Sequence, residues 1–250
     1  MLYKRHHELH WLEFELLADC PIIHGSFLRH GGTSTGPLGS LNLGKSRGDL
    51  PENVSANIKK VADTLSLPDI LSARICHGDA ITAVNNAHLI PPMSDGLSTS
   101  TPHLGLMVTQ ADCQAAIFYD PIRHALANVH CGWRGNVQNI YAATVNHMQQ
   151  VYGSMPADLI VCISPSLGPD SSQFINYKEE LPADFCAFQI KAEYFDLWAI
   201  SEWQLTTAGI LPHHIQIARI DTFAHPADYF SHRRNPQCGR QATICALRTR

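Results

Sequence analysis

The stretch LGLMVTQADCQAAIFYDPIRHALANVHCGWRG, residues 104–135, decides how this chain folds. Its first six residues, LGLMVT (104–109), form an apolar run of strand length, and ALANVH (125–130) forms a second. Short runs without polar alternation suit strands covered on both faces. The second run leads into Cys131-Gly132-Trp133-Arg134-Gly135, a glycine-bracketed turn. Beyond it, residues 137–152 place Val137, Ile140, Tyr141, Met148 and Val151 at helical spacing. Thr144 shares that stripe, as a helical threonine does when it bonds back to the preceding turn. Strand, turn and amphipathic helix in succession predict a layered α/β or α+β fold.

The rest of the chain extends that pattern. DLIVCIS (158–164), IQIARI (215–220) and QATICAL (241–247) read as further buried strands. Residues 53–66 carry Val54, Ile58, Val61 and Leu65 on one helical face, with Pro51 near the first turn. A third helix is expected over 193–208, ended by Gly209 with Pro212 beyond it. GGTSTGPLGSLNLG (31–44) is too rich in ordering polar side chains for a linker, and reads as a functional loop or as a plain surface loop. With 250 residues, 45% of them apolar, and no linker, one domain over residues 1–250 is the expectation.

Composition narrows the class. Acids outnumber bases 22 to 18, and the pI is near 6.4, so the broad basic face of a nucleic-acid binder is not expected. Arg233, Arg234 and Arg240 form only a short basic cluster. No apolar run approaches the roughly 18–20 residues of a membrane span, and residues 1–16 do not read as a signal peptide. The eight cysteines therefore read as reduced thiols of a cytoplasmic protein. Fifteen histidines raise the expectation of metal chemistry.

Three segments place a metal-capable residue beside small or turn residues. They are Ile75-Cys76-His77-Gly78-Asp79, Thr109-Gln110-Ala111-Asp112-Cys113, and the turn after His130. A thiolate and two imidazoles form a borderline-soft donor set, and three protein ligands with an open fourth position are the pattern of catalytic zinc. The separations are too long for chelation within one element, so folding alone would bring these residues together. Taken alone, each histidine is more often a buried hydrogen-bonded residue than a ligand, and Cys113 more often a small core residue. Neighbours on a strand face opposite ways, so His130 and Cys131 are not expected to serve one site. Asp112 is a candidate to orient a ligand histidine, or to form a turn. Arg134 at a helix start, and Arg29 beside Gly31 and Gly32, are candidates to bind an anion.

Taken together these segments resemble the YfiH family, also called laccase-domain or multicopper polyphenol oxidase-like proteins, viewed as purine nucleoside phosphorylases. The resemblance runs through nearly the whole chain. Its parts are Arg29-His30-Gly31-Gly32-Thr33-Ser34, Gly36-Pro37 with Ser40-Leu41-Asn42-Leu43-Gly44, His77-Gly78, Ala111-Asp112-Cys113, His130-Cys131-Gly132-Trp133-Arg134-Gly135, and Phe230-Ser231-His232-Arg233-Arg234 with Gly239-Arg240. It implies two mixed β-sheets flanked by helices, and one zinc ion held by His77, Cys113 and His130, with copper as the alternative metal. It also implies phosphorolysis of adenosine, inosine, guanosine and methylthioadenosine, with deamination of adenosine to inosine. Arg29, Asn42 and Arg134 are the candidates to hold phosphate or ribose, and Asp112 and His30 the candidates to protonate the leaving base. A cysteine at position 131 departs from the family's small residue. Asp170-Ser171-Ser172 departs from its cysteines and Tyr-Glu, which bears on substrate preference.

Rival readings differ in chemistry. Multinuclear copper oxidation of phenols favours paired His-x-His runs, which the chain lacks, although one thiolate and two imidazoles also bind copper. A metal-free cysteine hydrolase would use Cys113 as nucleophile and His130 as base. Amide hydrolysis on a cell-wall peptide precursor is a further variant, and a purine- or metal-binding module without turnover is the non-enzymatic one.

Overall fold

The computed structural model describes residues 1–45, 48–87 and 90–250. Fourteen strands are assigned in chain order: β1 Leu2–His6, β2 Leu9–Glu13, β3 Ile22–Phe27, β4 Asp69–Ser72, β5 Ile81–Ala83, β6 Gly96–Thr99, β7 Leu104–Gln110, β8 Gln114–Asp120, β9 Ala125–Cys131, β10 Ile160–Ile163, β11 Gln189–Lys191, β12 Tyr194–Phe195, β13 Ile215–Ile217 and β14 Gln241–Leu247. The α-helices are α1 Pro51–Leu65, α2 Trp133–Gln138, α3 Ile140–Tyr152, α4 Tyr177–Glu180 and α5 Leu197–Thr207. Two six-stranded sheets result, ordered β1-β2-β3-β14-β7-β4 and β13-β10-β8-β9-β6-β5, with β11 and β12 as a separate hairpin. Each large sheet is mixed. β4 runs parallel to β7, β13 to β10 and β5 to β6, while the other pairs are antiparallel. The expected two mixed sheets flanked by helices are what the chain forms.

The continuous apolar runs follow from burial on both faces. In β9, Leu126 points between the sheets, where it packs with Leu106, Ile117, Tyr119 and Cys245. The intervening Ala125, Ala127, Val129 and Cys131 face the other way, onto Ile140, Tyr141, Val145 and Met148 of α3. On the outer face of the first sheet, Met107, Ala242 and Ile244 pack against Val61 and Leu65 of α1 and against Leu41 and Leu43 of the preceding loop. The layers are thus helix, sheet, sheet, helix. Truncating a fully buried inter-sheet residue such as Leu106 to alanine is expected to cost about 2–5 kcal/mol.

The segment after β9 departs from the single helix expected over 137–152. Asn139 takes a left-handed backbone (φ 56°), ends α2, and caps α3 by accepting a hydrogen bond from Ala142 N at 3.2 Å. This break rotates the stripe. Val137 and Val151 are exposed, while Ile140, Tyr141, Thr144, Val145 and Met148 are buried. The Thr144 hydroxyl donates to Ile140 O at 2.7 Å, the back-bond that lets a polar residue sit on the buried face. The third helix starts later than expected, at Leu197, because β12 occupies residues 194–195 and Asp196 caps the helix by accepting from Trp198 N and Ala199 N. No helix among the described residues is long and apolar enough to cross a membrane.

Candidate functional site

The alternation of β9 decides what faces the site. Even-numbered residues point between the sheets, so His130, at the strand's end, emerges where the inter-sheet core opens. Cys131 turns into the layer under α3 and is 1% exposed, and burial pushes its thiol well above the ordinary range. The two neighbours serve different faces.

Asp95, just before β6, organises the ring of residues around His130. Its side chain is fully buried, and its Oδ1 accepts from His130 Nδ1 at 3.1 Å and from His77 N at 2.9 Å. Its Oδ2 accepts from Gly78 N at 2.7 Å, Cys76 N at 3.2 Å and Cys76 Sγ at 3.0 Å. Three successive amides curl around one carboxylate, an anion nest that His77 completes by taking φ 60°. Burial alone would raise the Asp95 pKa, but the hydrogen bonds from His130, Cys76 and Gly78 bring it down to about 2. Burial alone would likewise lower His130. The charge of Cys113, hydrogen bonds to Asp95 and Cys113, and the Asp95 charge overcome it and raise His130 to about 9. Burial, then the His130 charge, lower His77, with Arg134 and Arg240 adding to the effect against the opposing pull of Asp95.

His77, Cys113 and His130 meet beside Gly132. A Cβ at that glycine would lie 3.1 Å from Cys113 Sγ, 3.5 Å from His77 Nδ1 and 3.7 Å from His130 Cε1. The two imidazole rings stand edge to face with centroids 5.0 Å apart. The donor types fit a zinc or copper ion, and the space that a side chain at position 132 would fill is where they converge. As the side chains stand, no group of three or more His, Cys, Asp or Glu among the described residues is arranged to hold a metal ion. The Nδ1 contact with Asp95 directs His130 Nε2 to the site, the arrangement in which a carboxylate fixes a ligand imidazole.

These residues form one wall of a cavity of about 810 Å³. Its lining includes Lys45, Arg74, Arg134, His232 and Arg240, and no Asp or Glu among the described residues. Arg134, the first-turn residue of α2, stacks over the Trp133 ring at 4.4 Å. Gln138 ties that helix to the segment of His77 by donating to His77 O at 3.1 Å.

Other sequence candidates lie elsewhere. Arg29 donates from Nε at 3.0 Å and from a terminal nitrogen at 2.5 Å to Gly39 O, reaches Pro226 O at 3.1 Å with the other, and lies over Phe230. Asn42 is fully buried, donating to Asp49 Oδ2 at 2.8 Å and accepting from Gly44 N at 3.0 Å and Arg240 N at 2.9 Å. Neither lines the cavity, although Leu43, Gly44 and Lys45 just beyond Asn42 do. Asp112 (φ 85°) accepts from Thr222 Oγ1 at 2.8 Å and Arg233 N at 2.7 Å, binding the C-terminal loop behind Cys113. His30 pairs with Asp228 at 2.8 Å, away from the cavity lining. The orienting carboxylate is therefore Asp95, which the sequence reading missed. Its only signal was an acid before a glycine and a short buried strand.

The family model described as multi-copper polyphenol oxidoreductase laccase matches residues 23–248. The chain belongs to that family. Among relatives within reach of it, a purine nucleoside phosphorylase of Bacteroides thetaiotaomicron is 28% identical over 233 residues, covering 85% of this chain and 86% of that protein. The purine nucleoside phosphorylase YlmD of Bacillus subtilis is 27% identical over 247 residues, covering 91% and 89%. The crystal structure of YlmD from Geobacillus stearothermophilus superposes with a TM-score of 0.88 at 25% identity, over 99% of both chains. The family's two-sheet architecture thus extends over essentially all of this sequence.

Proposed function

We propose that this chain is a purine nucleoside phosphorylase that works with one zinc ion, or copper in its place, held by His77, Cys113 and His130. The observation that carries the reading is the convergence of these three side chains beside Gly132, on the wall of a cavity lined by cations. The names of the Bacteroides and Bacillus relatives supply the reaction class. Residues 1–250 act in this reading as one catalytic domain. The substrates are adenosine, inosine, guanosine and methylthioadenosine with phosphate, and adenosine is also deaminated to inosine.

In phosphorolysis a phosphate oxygen bonds to C1′ of the ribose while the bond from C1′ to the base breaks and positive charge develops on the sugar. Holding phosphate and ribose in line supplies much of the acceleration. Arg134, braced on Trp133, and Arg240 hold the phosphate, while Asn42 and Arg29 act through the loop that brings Leu43 to Lys45 to the cavity. Asp95 keeps the His130 ring in one tautomer and orientation. The bound ion supplies Lewis acidity at the cavity wall.

One observation favours a second reading. Cys113 Sγ and the His130 ring flank the same space beside Gly132, and His130 Nδ1 contacts Asp95 at 3.1 Å; this order of thiol, imidazole and carboxylate is also that of a cysteine hydrolase. His77 is dispensable in that case.

The deciding experiment incubates metal-quantified protein with adenosine, inosine and methylthioadenosine, with and without phosphate, and separates the products by chromatography. Free bases and ribose 1-phosphates that appear only with phosphate are expected, with inosine from adenosine in its absence. No purine product from fully metallated protein overturns the reading. Hydrolysis of an amide or ester that survives chelation and His77→Ala but not thiol alkylation establishes the second.

A further inference from the structure

The charge around the cavity is out of proportion to a single phosphate. The chain is acidic overall, with 22 acids against 18 bases, yet Lys45, Arg74, Arg134 and Arg240 line one cavity without an acidic side chain among them. They come from four separate segments: the residue after the glycine-rich loop, the link after β4, the first turn of α2 and the residue before β14. Clustering cations at one concave surface costs self-repulsion, and that cost is recovered when an anion of matching charge binds. A phosphate dianion neutralises about two of them. Arg134 stands two residues beyond Gly132, where the candidate ligand side chains converge, and Arg240 lines the same cavity. Lys45 and Arg74 reach the same cavity from the other two segments. Arg74 is held at the wall by its Nε hydrogen bond to Pro91 O at 3.1 Å, and both residues are exposed to the cavity's solvent. A cavity of about 810 Å³ lies toward the upper end of the range for small-molecule sites, roughly 300–1,000 Å³.

Building on the phosphorylase reading, we propose that Lys45 and Arg74 form a subsite for an anionic group carried by the substrate itself, so that purine nucleoside 5′-monophosphates join the nucleosides as substrates and bind more tightly than adenosine. The reaction balances without an added reactant. An oxygen of hydrogen phosphate bonds to C1′, and the electron pair of the C1′–N9 bond leaves with the purine. The proton of the hydrogen phosphate passes to the departing base. The products are the free purine and a ribose phosphorylated at C1 and C5, whose two phosphates match the four cations.

The test is equilibrium dialysis of the full-length, zinc-loaded protein with adenosine 5′-monophosphate and with adenosine, both in saturating inorganic phosphate, followed by product analysis on the same samples. The expected result is an affinity for the monophosphate at least about tenfold above that for adenosine, near 1.4 kcal/mol. The advantage should shrink as salt is raised. Arg74→Ala should erase most of it by weakening the monophosphate far more than adenosine. Lys45→Ala should act in the same direction, and keeps the test decisive if losing the Pro91 contact unfolds the Arg74 variant. Equal or weaker binding of the monophosphate overturns the subsite, as does an advantage that neither variant diminishes. If both purine ligands bind with the expected preference and no free base forms, the subsite stands and the phosphorylase reading fails. If neither ligand binds, both fall.

Discussion

Two glycine-rich segments of this protein, residues 29–44 and residues 130–138, carry the same kinds of residue and use them in opposite ways. Each contains an arginine, an asparagine and at least two glycines, and each is an anion-site candidate on sequence. In the first, the polar groups satisfy one another. Asn57 of α1 accepts from Thr33 N at 2.8 Å and donates to Ser34 Oγ and to Asn42 O, both at 2.9 Å. Asn42 in turn joins Asp49, Gly44 and Arg240, while Arg29 bonds backbone carbonyls. The result is a knot of side-chain hydrogen bonds that anchors a half-exposed loop, buried at Ser34 and over residues 41–44. In the second segment, glycine at 132 leaves space beside three donor side chains, and Arg134 is supported by an aromatic ring at a cavity wall. What separates the two is whether hydrogen-bonding capacity is used up within the loop, which residue types alone do not reveal.

The largest expected effect breaks the knot. Asn42→Ala strips an acceptor from the amides of Gly44 and Arg240 and a donor from Asp49, and should cost about 3–4 kcal/mol in a chemical-denaturation titration. Its zinc content when folded should match wild type; a variant of normal stability would mean that the knot is not structural. Slightly smaller is the pH response of β3, the strand feeding the knot. Burial holds His24 down to about 4 from 6.5, and its Nε2 accepts from Phe14 N at 2.8 Å. A histidine kept neutral in the fold gives its full stabilisation above pH 6.5 and loses it as pH falls toward 4, a change of about 3 kcal/mol. Urea titrations across that window should show His24→Gln with a correspondingly shallower decline, and parallel declines would refute the assignment.

Turning to the second segment, Asp95→Asn removes the charge that orients His130 and gathers the amides of residues 76–78. Zinc affinity measured against a competing chelator should fall about 10–100-fold. An unchanged affinity would remove Asp95 from the site. The smallest effect is Arg134→Ala, which should raise the KM for phosphate about tenfold with little change in kcat. A loss confined to kcat would point to a role other than phosphate binding.

Much of the fold was legible because burial on both faces leaves continuous apolar runs, as in β7, β9 and β14, and because α1 repeats its apolar residues at helical spacing. The strand β8, QAAIFYD, went unread although all seven residues are buried, since it follows the candidate motif at residues 111–113 without a turn signal. The break at Asn139 was also invisible, because asparagine is tolerated in helices and its left-handed cap is a tertiary choice. At the site, the resemblance picked out His77, Cys113 and His130, and all three border the space beside Gly132. Asp95, Lys45 and Arg74 did not emerge, because residues joined only by the packing of two sheets share no sequence spacing. The strand rule did separate His130 from Cys131, since it depends on backbone geometry alone.

The measurement closest to the central claim is zinc stoichiometry after exhaustive dialysis, comparing wild type with Cys113→Ala, alongside thermal melting of both in the absence of metal. The account predicts about one equivalent in wild type, almost none in the variant, and matching metal-free melting temperatures. Wild type that retains no zinc or copper, or a Cys113→Ala variant that keeps its full equivalent, would contradict it.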